Sequence, residues 1–234
     1  MLTSKILSHY LFNISSNCDK INKEVKGVKN PLHYQITEYD CAPTSMLNAL
    51  SYLFEREQLS PDLIRNIMLY SLDCYDTSAI PGKKGTSRMA TMFISHWLQG
   101  YGEAGALDVT SQYIRGNAVR IEEGSKINDA LKRNGVAVVR LYYEVEHYVL
   151  LTGVTEDKIY MFDPYYKDDK FDEADDIEVI LNESKKYNRI VPFKYFNREN
   201  EELYALGKID KREAVLLFNK ATELTAQNTI EYFI

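Results

Sequence analysis

Four residues in this chain have the side chains that cleavage of an amide bond requires. Gln35 and Cys41 lie six residues apart in one segment, and His147 and Asp163 lie in another. A thiol becomes a nucleophile when a neighbouring imidazole takes its proton, and a carboxylate can orient that imidazole. An amide N–H can then stabilise the developing oxyanion. These residue types therefore predict a cysteine hydrolase with Cys41 as nucleophile, provided that the fold brings them together.

The first element needed is a helix that begins at Cys41. Apolar residues recur at helical spacing at Met46, Leu47, Leu50, Leu53 and Phe54. Pro43 fits only the first turn of such a helix, so a helix over Ala42–Glu57 is predicted, with Asp40 as its cap. Cys41 then lies at a helix N-terminus, where free N–H groups and the helix dipole favour a thiolate.

The second element is an antiparallel group of strands. Strands are predicted at Val136–Tyr143, His147–Val154 and from Lys158 to Pro164, with Glu156-Asp157 as a hairpin turn. His147, near the start of one strand, then faces Asp163, near the end of the next. Pro164 keeps the residue before it extended and so holds the Asp163 carboxylate at a strand end.

The remaining elements indicate an α+β fold, with helices first and a mostly antiparallel sheet after them. Further helices are predicted at Pro61–Leu72, Ser87–Leu98, Ser125–Lys132 and Asp175–Glu183. Further strands are predicted at Val109–Tyr113, Ile190–Tyr195 and Glu213–Phe218.

Composition narrows the class of protein. The 234 residues carry a net charge of −6, which disfavours nonspecific nucleic-acid binding. No apolar run is long enough for a membrane-spanning helix, and the N-terminus lacks the features of a secretory signal. Three cysteines do not suggest a disulfide framework, so a reducing cytoplasm is expected. The histidines and cysteines lack the spacing of a zinc site, and no cofactor is implied.

The pattern Gln-x-x-x-x-Asp-Cys, followed by His-Tyr-Val-Leu-Leu-Thr-Gly-Val and by Asp-Pro, resembles the bacteriocin-processing, papain-like cysteine peptidases, also called double-glycine leader peptidases. The resemblance runs from about Pro31 to Asp163. It implies a papain-like fold and a peptide or protein substrate. It also implies that Cys41 is the nucleophile, His147 the general base, Asp163 its orienting group and Gln35 the oxyanion donor. Residues 1–30 would then be an N-terminal extension, and residues 31–234 the peptidase domain.

Three alternatives stay open. An acyltransferase could use the same residues, with an amine in place of water. A relative that binds peptides without cleaving them is the second, because Ala42 stands where the family usually has glycine. In the third, the helical region from Asp62 to Asn134 is a docking surface for a partner protein that delivers the substrate.

Overall fold

A computed structural model describes residues 29–225 of the chain. Its helices are α1 (Cys41–Leu53), α2 (Pro61–Tyr70), α3 (Arg88–Glu103) and α4 (Lys126–Lys132). Its strands are β1 (Val109–Arg115), β2 (Val136–Tyr143), β3 (Val145–Val154), β4 (Lys158–Phe162), β5 (Glu178–Val179), β6 (Arg189–Pro192) and β7 (Glu213–Asn219).

The strands form one antiparallel sheet in the order β1-β7-β2-β3-β4-β6-β5. The last strand along the chain, β7, lies between β1 and β2. The strands β2, β3 and β4 follow one another as a meander. The three strands at the centre of the predicted site are therefore neighbours, as their sequence pattern indicated.

Both faces of the sheet are covered, which explains why the central strands are almost continuously apolar. On one face, Leu50 of α1 packs in the same cluster as Val138 and Leu150. On the other face, Ile127 of α4 packs in the same cluster as Val139. Alternate residues of β2, β3 and β7 enter opposite clusters, because successive strand side chains point to opposite faces.

The helix that carries Cys41 is shorter than predicted. It ends at Leu53 and not at Glu57, because Phe54 turns into extended backbone and is fully buried. The side-chain amide of Asn219 donates to the Leu53 carbonyl at 3.0 Å and satisfies one of the last helical acceptors. A contact with the last strand therefore sets the end of α1.

The prediction of a helix at Asp175–Glu183 is wrong. Glu178–Val179 forms the short strand β5 and pairs with β6, and Ile180 N donates to Asn188 O at 2.9 Å. The backbone donors in this segment are therefore used between strands instead of within a helix.

Among the other boundaries, two differ most from the prediction. The strand predicted over Ile190–Tyr195 ends at Pro192, which has no N–H for a sheet hydrogen bond, and a 3-10 turn follows at Phe193–Tyr195. The helix predicted over Ser87–Leu98 continues to Glu103. There Gly102 lies against Val109 so closely that a Cβ would fall 1.9 Å from the Val109 carbonyl oxygen.

Within residues 29–225, no helix has both the length and the apolar character needed to span a membrane. The predicted extension, residues 1–30, lies almost entirely outside the described residues, and its boundary stays a prediction.

Candidate active site

Cys41 is the first residue of α1 and is mostly buried. As a first helical residue it has no intrahelical partner for its N–H, and it lies at the positive end of the helix dipole. One turn further on, Ser45 Oγ donates to Tyr148 O at 3.0 Å. Because Tyr148 follows His147 in β3, this bond fixes the start of the helix beside the histidine.

Asp40 occupies the predicted N-cap position, although its side chain makes no capping hydrogen bond. Its carboxylate instead accepts the N–H groups of Ile36 at 3.0 Å and Thr37 at 2.7 Å. The Thr44 hydroxyl donates to it at 3.2 Å. Burial disfavours the charged form, but the donors from Thr37 and Ile36 outweigh this and hold the pKa of Asp40 below its usual value. The charged group therefore closes the loop before Cys41.

Asn48 holds the preceding segment through two hydrogen bonds to one residue. Its Oδ1 accepts His33 N at 2.8 Å, and its Nδ2 donates to His33 O at 2.8 Å. Two residues later, Gln35 N donates to Pro164 O at 2.9 Å. The loop that carries Gln35 is thus bonded both to α1 and to the segment just after Asp163.

The Gln35 side chain makes a local contact. Its Nε2 donates to Thr37 O at 2.7 Å, and its Oε1 is buried with no hydrogen-bond partner among the described residues. The structure therefore brings Gln35 next to the Asp163–Pro164 segment, with one hydrogen of its amide given to Thr37 O. Its role as oxyanion donor stays a prediction.

His147 and Asp163 meet where β4 ends. Pairing between β3 and β4 stops at Leu150 and Phe162, so His147 lies beyond the last paired residue of β3 on that side. Its Nε2 lies 2.7 Å from Asp163 Oδ1, which leaves Nδ1 for Cys41. Burial opposes the charged imidazolium. The Asp163 charge and hydrogen bond, with a hydrogen bond to Cys41, nevertheless raise the pKa of His147 to about 10.

The Asp163 carboxylate is fully buried and has further donors. Oδ1 also accepts Tyr165 N at 2.8 Å, and Oδ2 accepts the Tyr204 hydroxyl at 2.9 Å. Burial favours the neutral acid, but His147, the Tyr165 N–H and nearby Arg189 together lower the pKa of Asp163. The carboxylate is thus ionised beside a protonated imidazole.

The backbone of Asp163 is fixed by Asn188, in the way that Asn48 fixes His33. Asn188 Oδ1 accepts Asp163 N at 2.7 Å, and its Nδ2 donates to Asp163 O at 2.7 Å. The sequence did not predict the contributions of Asn188, Arg189 or Tyr204. These residues lie 25 or more positions after Asp163, and no local motif marks them.

The arrangement contains a thiol, an imidazole and a carboxylate in hydrogen-bonded sequence, which is the order that nucleophilic catalysis requires. Residues 29–225 contain no group of three or more His, Cys, Asp or Glu side chains that could hold a metal ion. A thiol, an imidazole and a carboxylate in this order can transfer an acyl group from an amide or ester to the thiol.

Comparison with known proteins agrees with this chemistry. The model of the Peptidase_C39 like family matches residues 28–192, more than two thirds of the chain. One solved structure with some similarity is the crystal structure of a double glycine motif protease from an AMS/PCAT transporter in complex with the leader peptide. It is 14% identical, with a TM-score of 0.34, over 72% of this chain and 94% of that chain. No curated protein matches.

The family match includes Gln35, Cys41, His147 and Asp163. The expected α+β, papain-like fold and the resemblance to bacteriocin-processing peptidases are confirmed. The match also supports a cysteine-peptidase kind of function. The chain therefore belongs to the Peptidase_C39 like family.

Proposed function

We propose that this protein is a cysteine peptidase that cleaves a peptide bond through a thioester on Cys41. The observation that carries the proposal is the buried hydrogen-bonded series from Asp163 through His147 to Cys41. A raised imidazole pKa supports a protonated His147 near neutral pH, and a protonated imidazole stabilises a neighbouring thiolate.

In the first half of the reaction, the Cys41 sulfur attacks the substrate carbonyl carbon. The carbonyl oxygen becomes an oxyanion. The Cys41 N–H stabilises it, together with the Gln35 Nε2 hydrogen that is not given to Thr37 O. Collapse of this intermediate breaks the C–N bond, and His147 gives its Nδ1 proton to the leaving amine. In the second half, His147 takes a proton from water, the hydroxide attacks the thioester, and the C–S bond breaks to release an acid.

Exposed apolar side chains support a peptide as substrate. Ile36 is 91% exposed, Val145 69% and Tyr166 56%. Each lies within three residues of Gln35, His147 or Asp163. Side chains of this kind can contact the residues of an extended peptide on either side of the cleaved bond. A reducing compartment such as the cytoplasm is part of the proposal, because the thiol has to stay free.

The first test is the pH dependence of Cys41 alkylation by iodoacetamide, measured by mass spectrometry in the wild type and in His147→Ala. Cys41 should react well below pH 7 in the wild type and lose this reactivity in the variant. Cys74, which is partly exposed, is an internal control in the same protein. An ordinary thiol profile for Cys41, near pH 8.5, would contradict the proposal.

The second test is cleavage of a peptide library by the wild type and by Cys41→Ala. The variant should lose at least roughly a thousandfold in rate. Product analysis with and without an added amine distinguishes hydrolysis from acyl transfer. Peptide binding without cleavage by the wild type would instead favour the non-catalytic alternative.

A further inference from the structure

Tyr204 is a residue of the site that lies outside the family match, which ends at residue 192. It is fully buried, and its hydroxyl donates to Asp163 Oδ2 at 2.9 Å. Its backbone has a φ of +59°, which is rare for a bulky residue and costs free energy. A backbone held in this unfavourable conformation indicates that the surrounding structure fixes the position of Tyr204.

Hydrogen bonds on both sides of the residue supply that constraint. Tyr204 N donates to Tyr142 O at 2.7 Å, and Tyr142 N donates to Ala205 O at 3.0 Å. The segment therefore lies against the end of β2, where the adjacent Leu141 pairs with His147 of β3. Gly207 follows with a φ of +71°, and a Cβ there would come within 2.5 Å of the Tyr142 ring.

The hydroxyl supplies a donor to the carboxylate oxygen that does not contact His147. Oδ1 of Asp163 accepts His147 and Tyr165 N, whereas Tyr204 is the donor to Oδ2 among the hydrogen bonds of the described residues. A buried carboxylate oxygen without a donor is costly and favours protonation of the group. Burial and the nearby Asp163 charge raise the pKa of Tyr204 well above its usual value, so the phenol keeps its proton.

We propose that Tyr204 is a positioning residue, which keeps the Asp163 carboxylate ionised and turned toward His147. The segment that follows residue 192 thereby completes the site that the matched residues begin. The catalytic meaning of this proposal rests on the proposed function, whereas the effect of Tyr204 on Asp163 can be measured without it.

The alternative is that Tyr204 only fills space. Its ring packs against Phe171, with centroids 5.8 Å apart, and against Tyr143 at 6.0 Å. Tyr204→Phe keeps these ring contacts and removes only the hydroxyl. Tyr195→Phe is the matched control, because the Tyr195 hydroxyl also donates to an aspartate, Asp176, outside the site.

The experiment is a pH titration of the Asp163 side-chain carboxyl by carbon-13 NMR in the full chain, with the signal assigned from Asp163→Asn. In Tyr204→Phe the midpoint should rise by about one pH unit or more, the size expected for one lost hydrogen bond to a charged group. In Tyr195→Phe it should not move. An unchanged midpoint in a folded Tyr204→Phe would overturn the proposal.

Cys41 alkylation at neutral pH connects this result to catalysis. Tyr204→Phe should slow alkylation about tenfold. A loss of this size is expected when one charge-assisted hydrogen bond is removed. In a double variant with Asp163→Asn, Tyr204→Phe should not reduce the alkylation rate further, because Tyr204 acts through Asp163. An independent loss in the double variant would contradict a positioning role.

The two proposals fail separately. If the Asp163 midpoint moves while wild-type Cys41 behaves as an ordinary thiol, the Tyr204 proposal stands and the proposed function is wrong. If Tyr204→Phe does not fold, 3-fluorotyrosine at position 204 keeps the ring and makes the hydroxyl a stronger donor. The Asp163 midpoint should then fall below that of the wild type, and a midpoint at or above it would contradict the proposal.

Discussion

His147 and Asp163 form a buried pair in which each side chain supports the charge of the other. The pair is 2.7 Å apart and both side chains are nearly or fully inaccessible to water. Buried charges are tolerated when each has a partner and further hydrogen bonds, and here Tyr165, Tyr204 and Cys41 contribute those bonds. The charge state of the site should therefore be coupled to the stability of the fold.

The first prediction concerns that coupling. The pKa of His147 is raised from 6.5 to about 10, so its stabilising contribution is complete below pH 6.5 and is lost as the pH rises toward 10. Urea unfolding between pH 6 and 10 should show a decline in the free energy of unfolding that His147→Gln lacks. His96→Gln, which alters an exposed histidine, should keep the decline. Equal slopes in the wild type and His147→Gln would contradict the pairing.

The second prediction concerns Asp40. Asp40→Ala leaves the N–H groups of Ile36 and Thr37 without their acceptor and should lower the free energy of unfolding by roughly 2–3 kcal/mol. Because the pKa of Asp40 is lowered in the fold, its contribution should be present above about pH 4 and lost below that. Denaturant titrations at pH 7 and pH 3 measure both effects. Glu38→Ala, an exposed change in the same loop, should have little effect, and a similar loss there would contradict this account.

Among the elements, those with a strong local pattern could be predicted from the sequence, whereas contacts between distant segments could not. The start of α1 followed from Pro43 and the apolar stripe, and the bounds of β2 followed from its β-branched and aromatic residues. The helix prediction at Asp175–Glu183 failed because pairing with β6 determines that segment. The contacts of Asn188 and Tyr204 with Asp163 depend on the folded topology, which one sequence does not display.

Several asparagine side chains bond both the backbone N–H and the backbone carbonyl of one distant residue, and so connect separate elements of the fold. Asn48 bridges His33, and Asn197 bridges Ile121 through the same pair of bonds. Only the first of these bridges supports the loop that carries Gln35. The two asparagines therefore form a matched pair for a test of local positioning.

The third prediction uses that pair. Asn48→Ala and Asn197→Ala should each lower stability by about 1–3 kcal/mol, since each leaves two backbone groups without a partner. Hydrogen exchange should speed up over residues 33–37 in Asn48→Ala alone, and Cys41 alkylation should slow in that variant alone. If both variants speed up hydrogen exchange over residues 33–37 equally, the cause is a global loss of stability and the prediction is wrong.

At the scale of the whole molecule, β7 joins the two sides of the structure. Val215 and Leu217 enter the cluster around α1, whereas Ala214 and Leu216 enter the cluster around α4. The strand also separates β1 from β2 in the sheet. The residues of the family match therefore depend for their packing on a strand that lies outside it.

The fourth prediction follows from this dependence. A chain that stops at Pro192, the end of the family match, should not fold, because both apolar clusters lose residues and β1 loses its neighbour. Thermal unfolding followed by circular dichroism should show no cooperative transition for the shortened chain and a clear one for the full chain. A cooperative transition in the shortened chain would disprove the role given to β7.

The late position of β7 also bears on the timing of synthesis. A ribosome releases Cys41, His147 and Asp163 well before it releases Tyr204 and β7. Until those later residues appear, β1 has no neighbour in the sheet and the carboxylate lacks its phenol donor. The thiol therefore acquires its full surroundings only late in translation, after all the residues of the family match have been made.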